Sequence, residues 1–479
     1  MNNRRAFLPQ GLGRRGPTVL AVFLFCAASA GAQQAAQVGQ AGKASLPQAP
    51  LAQAPLAQAP LAQMQLAQAA IPGLPARPGP TSLTWEQVKA KFEAANPVLK
   101  SDQANVDEMK AEEITAYLRP NPQFTMTADG TSIAPHDGSY QPFKGTDLSP
   151  NFSYLHEREH KRELRLESAQ QGTQIATSEH QDLDRTMLFG LRSAFVGTLE
   201  AKAVLELAKA DMEYYDKIID ISKARYADGD LAKIDLDRIE LLRVQYESEI
   251  QMAIVNLRTA KIALLQLLDD RMPVDQFDVS GPFDFASDLK PLTDFEQAAL
   301  DARPDLRAAI EGIEQAKTNH TLAIANGSTD PTFGAWYTWN SSNNNPNGLQ
   351  TLGLSVEVPL RIFDRNQGEK QRTLIDIDRN QQLTDAARAQ VFSDVDSAYE
   401  QVRSNVALLI PYRDQYKDQA TRVRDTVTYA YQRGGASLMD FLNAQSDYRV
   451  VQLAYLELVG AYLTAAGQLN LAVGREVIP

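Results

Sequence analysis

Between Leu191 and Ile219 apolar positions recur at steps of mainly three and four, through Phe195, Thr198, Ala201, Leu205, Ala208, Met212 and Tyr215. The spacing returns in Ile239, Leu242, Tyr246, Ile250, Ala253, Leu257, Ala260, Leu264 and Leu267. Steps of three and four mark the seam of a coiled coil, so the pattern predicts two long helices packed along each other. No proline interrupts residues 157–225, and a helix over that whole stretch would measure about 100 Å. Breaks at Asp228-Gly229-Asp230 and at Gly434-Gly435 predict long antiparallel helical hairpins with tight tips.

A different pattern separates the helical stretches. From Pro331 to Leu360 the only charged residue is Glu357, and two of the three tryptophans, Trp336 and Trp339, lie there. Phe333, Ala335 and Tyr337 alternate with smaller or polar neighbours, and after the turn at residues 340–348 so do Leu352, Leu354, Val356 and Val358. A weaker version runs through Phe124, Met126 and Ala128, then Leu148, Phe152 and Tyr154. Strands of about ten residues with one apolar face and terminal aromatics suit a transmembrane β-barrel. Alternation alone does not separate lipid from a protein core, so a soluble β-subdomain packed on the helices shares this reading. Four strands do not close a barrel, and an open edge in lipid strands backbone polar groups. Three copies would supply twelve strands above twelve long helices.

The chain repeats its own plan. Asn96-Pro97-Val98-Leu99 returns as Arg303-Pro304-Asp305-Leu306, and Asn121-Pro122-Gln123-Phe124 as Asp330-Pro331-Thr332-Phe333. At a constant offset of 205, Tyr226 and Gly229 match Tyr431 and Gly434, Asp235-Leu236 matches Asp440-Phe441, and Leu264 matches Leu469. A constant offset over so long a stretch indicates duplication. The expected fold is mainly α with a small β part. A first repeat spans residues 81–290, with strands near 122–132 and 146–155 and helices near 157–225 and 231–269. A second spans residues 291–479, with strands near 331–341 and 349–360 and helices near 364–432 and 436–473.

Composition adds the compartment. Arg4, Arg5, Arg14 and Arg15 precede an apolar run from Val19 to Ala28 and the small residues Ala30-Gly31-Ala32, the layout of an export signal over residues 1–32. Cys26 sits within that run after Phe23, Leu24 and Phe25, where a lipidated cysteine would follow a small residue. The mature chain would carry no cysteine, which excludes thiolate metal sites and cysteine nucleophiles. Residues 33–80 are an Ala/Gln/Pro tether with the repeat Leu51-Ala52-Gln53-Ala54-Pro55, too poor in large apolar groups to offset ordering. Of 47 basic residues six fall before residue 81, leaving 41 against 59 acidic ones, a formal −18. That argues against nucleic acid as a partner. With a mean hydropathy of −0.32 and no run of about 20 apolar residues beyond the N-terminus, no membrane-spanning helix is expected.

The two-fold repeat, the Asn-Pro and Pro120-Asn121-Pro122 punctuation and the Tyr-x-x-Gly tips resemble the TolC-like outer-membrane efflux family over nearly all of residues 83–475. The resemblance implies a homotrimer in the outer membrane of a Gram-negative-type bacterium. A β-barrel would cross the lipid and an α-helical barrel would reach through the periplasm to an adaptor protein and an inner-membrane pump. It also implies adaptor contact at Asp228, Gly229, Asp230 and Leu231 and at Gly434, Gly435, Ala436 and Ser437. Phe333, Tyr337, Leu352, Leu354, Val356 and Val358 would face lipid. Two acidic residues one turn apart ring the periplasmic aperture in the best-known members; here Asp440 fits the first and Asn443 replaces the second. No cofactor and no enzymatic activity are implied.

One motif points elsewhere. His156-Glu157-Arg158-Glu159-His160 fits H-E-x-x-H, with Glu179 and His180 downstream, a pattern that binds zinc when it lies on a buried helix. Its middle positions are charged and the run continues through Lys161, Arg162 and Glu163, so a solvated helix start is expected and no metal site. His136 and His320 stand alone, and the nine methionines form no cluster that would point to copper. The remaining alternatives are a protein-secretion channel of the same architecture and a soluble periplasmic coiled-coil scaffold.

Overall fold

The computed structural model describes residues 81–135, 138–143, 145–340 and 350–478. The expected export signal, the tether, Cys26, His136 and most of the turn at residues 340–348 lie outside the described residues. Strand β1 (Thr81–Leu83) leads into helices α1 (Trp85–Ala95) and α2 (Pro97–Ala116), then strands β2 (Gln123–Asp129) and β3 (Asp147–Leu155). The long helices α3 (Lys161–Ala227) and α4 (Lys233–Leu267) follow, then β4 (Phe277–Val279). Helices α5 (Leu292–Ala302) and α6 (Pro304–Asn326), strands β5 (Thr332–Asn340) and β6 (Gln350–Glu357), and helices α7 (Gln367–Pro411), α8 (Lys417–Gln432) and α9 (Leu438–Val473) complete the chain.

Local chemistry explains the joints. Asn96 caps α2, its side-chain oxygen accepting from the N–H groups of Val98 at 2.9 Å and Leu99 at 3.2 Å, while Pro97 fills the first helical position where no N–H is needed. Pro304 plays the same part at the start of α6. Behind it the buried Arg303 guanidinium holds Asp305 at 2.6 Å, Asp394 at 2.8 Å and the carbonyl of Ala472 at 3.2 Å, tying α6 to α7 and α9. Lys161, read from the sequence as part of a solvated run, is 3% exposed and donates to Asp330 at 2.6 Å and to the Ser328 carbonyl at 3.1 Å. That buried pair fixes the root of α3 against the entry to β5.

The seams pack inward. Leu191, Phe195, Thr198, Leu205, Met212, Tyr215 and Ile219 of α3 are buried, as are Ile239, Tyr246, Ala253 and Leu264 of α4. Helix α9 is long and apolar enough to cross a membrane by length and composition. Its Val459, Leu463, Ala466, Leu469 and Val473 are instead buried with Val391, Val395 and Val402 of α7, so its apolar character belongs to a protein core.

Two features escaped the sequence. β1 and β4 pair in parallel, Leu83 opposite Val279, three-residue strands too short to show a period. The helix expected to run unbroken over residues 364–432 changes to a π turn at Tyr412–Tyr416, directly after Pro411. Proline removes a helical N–H and crowds the preceding turn, and a wider turn accommodates it.

Candidate functional site

Strands β2, β3, β5 and β6 form one antiparallel sheet in the order β2-β3-β5-β6. Its register gathers the apolar residues on one face. Phe333 stands opposite Val356, Ala335 opposite Leu354 and Tyr337 opposite Leu352. Across the next ladder Tyr154 meets Phe333, Phe152 meets Ala335 and Leu148 meets Trp339. Beyond it Phe124 meets Phe152, Met126 meets Pro150 and Ala128 meets Leu148. Within one chain this face is bare: Leu352 is 75% exposed, Leu354 78% and Val356 63%. Val358 lies just past the end of β6 and is also exposed. The opposite face carries Asn151, Ser153, Gly334, Thr351 and Ser355, with Ser149 and Thr338 hydrogen-bonded at 2.8 Å. Trp336 lies flat over Gly353, where an added Cβ would come within 2.2 Å of the indole; glycine is needed for that approach.

The hairpin tips share one backbone device. At the first, the N–H of Gly229 donates to the carbonyl of Tyr226 at 3.1 Å and that of Asp230 to Arg225 at 2.8 Å. At the second, Gly434 donates to Tyr431 at 3.1 Å and Gly435 to Ala430 at 2.8 Å. Both are Schellman closures, with Gly229 at φ +85° and Gly434 at φ +75°. Asp228, Asp230, Gly435 and Ser437 are exposed, and Leu231 and Ala436 half-buried. The two tips touch through Arg225, whose guanidinium donates to the Tyr431 carbonyl at 2.7 Å and lies over its ring. The duplicated tyrosines differ, for Tyr431 is buried and stacked on Phe441 whereas Tyr226 is 42% exposed.

Asp440 and Asn443 are both exposed one turn apart on α9. Asp440 has a local task, because its carboxylate accepts from the Ser437 hydroxyl at 2.7 Å and N–H at 3.1 Å while its own N–H donates to Ser437 Oγ at 3.1 Å. Those hydrogen bonds, the hydroxyl's first, hold its carboxyl below the ordinary value.

A model of the family described as outer membrane efflux protein matches residues 296–475. The cobalt-zinc-cadmium resistance protein CzcC of Cupriavidus metallidurans is 22% identical over 403 residues, which cover 82% of this chain and 90% of that protein. Among solved structures, the CusC transmembrane channel superposes with a TM-score of 0.68 at 16% identity, covering 84% of this chain and 95% of CusC. The outer membrane protein VceC from Vibrio cholerae gives 0.65 at 17% identity, covering 82% of this chain and 96% of VceC. Residues 296–475 thus match the outer membrane efflux protein family, and the fold is that of CusC and VceC. OprN, another solved structure with this fold, is an outer-membrane channel; it gives a TM-score of 0.66 at 14% identity, covering 81% of this chain and 89% of OprN.

The H-E-x-x-H segment has an architectural explanation. Glu159 and His160 adopt left-handed backbone at φ +57° and +54°, and α3 starts only at Lys161, so the two histidines do not share a helical face. The His156 ring packs edge-on against Phe333, Glu157 is held by Arg165, and the His160 side chain is 87% exposed. His180 lies roughly 30 Å further along α3, hydrogen-bonded to Asp102 at 2.8 Å. Among the described residues no group of three or more His, Cys, Asp or Glu is placed to hold a metal ion.

Sequence reading missed a second seam on α4. Ile234, Leu241, Val255 and Ile262 recur at multiples of seven, flanked by Val244 and Met252, and all six are more than half exposed. The heptad spacing was there to find, but the stronger inward seam of the same helix masked it.

Proposed function

We propose that this chain is the outer-membrane exit duct of a tripartite efflux assembly, a homotrimer that conducts small solutes from a periplasmic adaptor and inner-membrane pump to the exterior. The register of the four-stranded sheet carries the reading. A continuous apolar face over four strands, with a face behind it that is small and polar apart from Trp336, is the division between lipid and lumen that a transmembrane barrel requires. The free edges of β2 and β6 favour closure by further copies, since unpaired strand edges are costly in lipid. Three copies supply twelve strands, and the outward heptad seam of α4 offers each helical hairpin a neighbour.

Gating belongs to the tips. The Arg225 to Tyr431 hydrogen bond and the stacking of Tyr431 on Phe441 join the two hairpins at their ends. An adaptor engaging the small residues Gly229, Gly434, Gly435 and Ala436 would compete with that packing and part the helices. Asp440 and Asn443 would line the aperture, with half the charge of a doubly acidic ring. The CzcC likeness favours divalent transition-metal cations as cargo over proteins. Conduction of such ions would rest on the lumen as a whole rather than on a built ligand set.

Gly434→Trp places a bulky side chain at an exposed tip and on left-handed backbone. The expected result in cells is loss of metal resistance at an unchanged level of protein in the outer membrane. Full resistance at that level would remove the tips from the mechanism.

A further inference from the structure

The apolar face of the sheet is not smooth at the end where it meets the helices. Phe152, Tyr154, Phe333, Ala335, Leu354 and Val356 line a groove of about 410 Å³ across β3, β5 and β6. Ala335 makes the depression, because its small side chain stands between its larger ladder partners Phe152 and Leu354.

At the end of β3 the same face runs into a second hollow, of about 300 Å³, at the root of α3. Tyr154 lines both, and the His156 ring of the second packs edge-on against Phe333 of the first. One depression is thus apolar along the strands and charged at its end. Arg119 and Arg158 line the charged end and are exposed. Among the described residues Arg119 has neither a hydrogen-bond nor an ion-pair partner, and the Arg158 guanidinium has only Glu159, at 3.7 Å. Two neighbouring carboxylates are already committed, Glu157 to Arg165 at 2.9 Å and Glu163 to Arg162 at 2.7 Å. Tyr117 and Leu118, beside Arg119, are exposed.

We infer that this depression binds one glycerophospholipid, an acyl chain lying along the groove and the phosphate resting against Arg119 and Arg158. The inference rests on the reading that the bare face of the sheet meets lipid. An open apolar groove takes hydrocarbon, free guanidinium groups take phosphate, and a phospholipid joins the two in one molecule. Tyr154 and His156 stand at the boundary between them, where rings with a polar edge are suited to the membrane interface. Because the helices leave the sheet at this end, the lipid would belong to the leaflet on the helical side.

Native mass spectrometry of the detergent-extracted full chain, delipidated and then given dioleoylphosphatidylglycerol, tests the site, with dioleoylglycerol as the same pair of tails without a phosphate. One phospholipid retained per chain is expected, with the diacylglycerol held more weakly by about tenfold or more, the size of a lost charge-assisted contact. Arg119→Gln and Arg158→Gln, at exposed positions where folding is not at stake, should each weaken retention several-fold. Ala335→Leu, which fills the groove and keeps its face apolar, should remove it. Arg365→Gln, an exposed cation at the joint into α7, should leave it unchanged. Equal retention of the two lipids, retention unchanged in Arg119→Gln, Arg158→Gln and Ala335→Leu, or an equal loss in Arg365→Gln would overturn the site in a chain that still extracts from the outer membrane only with detergent. A chain that fractionates without detergent would instead remove the duct reading, and the lipid site with it.

Discussion

Asp211 is a carboxylate that α3 carries into the tip bundle, 4% exposed. Burial pushes its pKa up to about 6, against the pull of Arg449 on α9 and Arg424 on α8 and with a push from Glu249 on α4. Neither arginine is free to serve it fully. Arg449 is paired with Glu249 at 2.6 Å and faces the Tyr246 ring, and Arg424 is paired with Asp425 and lies between Tyr214 and Tyr448. Because the folded chain holds this proton more tightly than the unfolded one, the bundle gains stability as pH falls from neutral through about 6 and loses it as pH rises. Thermal unfolding of Asp211→Asn should be higher than wild type at pH 7.5 and should lack that rise on acidification; an unchanged pH profile would show that Asp211 is not its source. At Ser437 the expected cost is that of a lost helix cap. Ser437→Ala should destabilise the start of α9 by about 1 kcal/mol, read as faster amide hydrogen exchange at residues 440–444.

At the scale of elements the sheet divides an apolar face from a more polar one residue by residue. Leu354→Lys should cost about 2–4 kcal/mol if the face meets the bilayer midplane and should abolish heat-resistant assembly in outer-membrane fractions. Ser355→Lys, one residue along and on the other face, should assemble normally; equal tolerance of both would mean that neither face meets lipid. Much of this was legible in sequence, because a period of two over Phe333 to Tyr337 and Leu352 to Val358 survives in any environment that buries one face. The hairpins were legible for the same reason, from their periods of three and four. What stayed hidden had no period. The β1–β4 pair is three residues long, the π turn depends on how one helix absorbs Pro411, and Lys161 is buried only because Asp330 arrives from 169 residues away in the chain.

On the scale of the whole molecule, the bare apolar strands and the outward seam of α4 are the surfaces that the proposed trimer would cover. α3 alone, at 67 residues, measures about 100 Å, and the proposed duct would be at least that long. The most direct test is negative-stain imaging of the detergent-extracted protein. Elongated particles with three-fold symmetry, well over about 100 Å long and with a detergent belt at one end, are the predicted result. Compact particles, or particles that stay monodisperse without detergent, would contradict the duct and return the strands to a soluble scaffold.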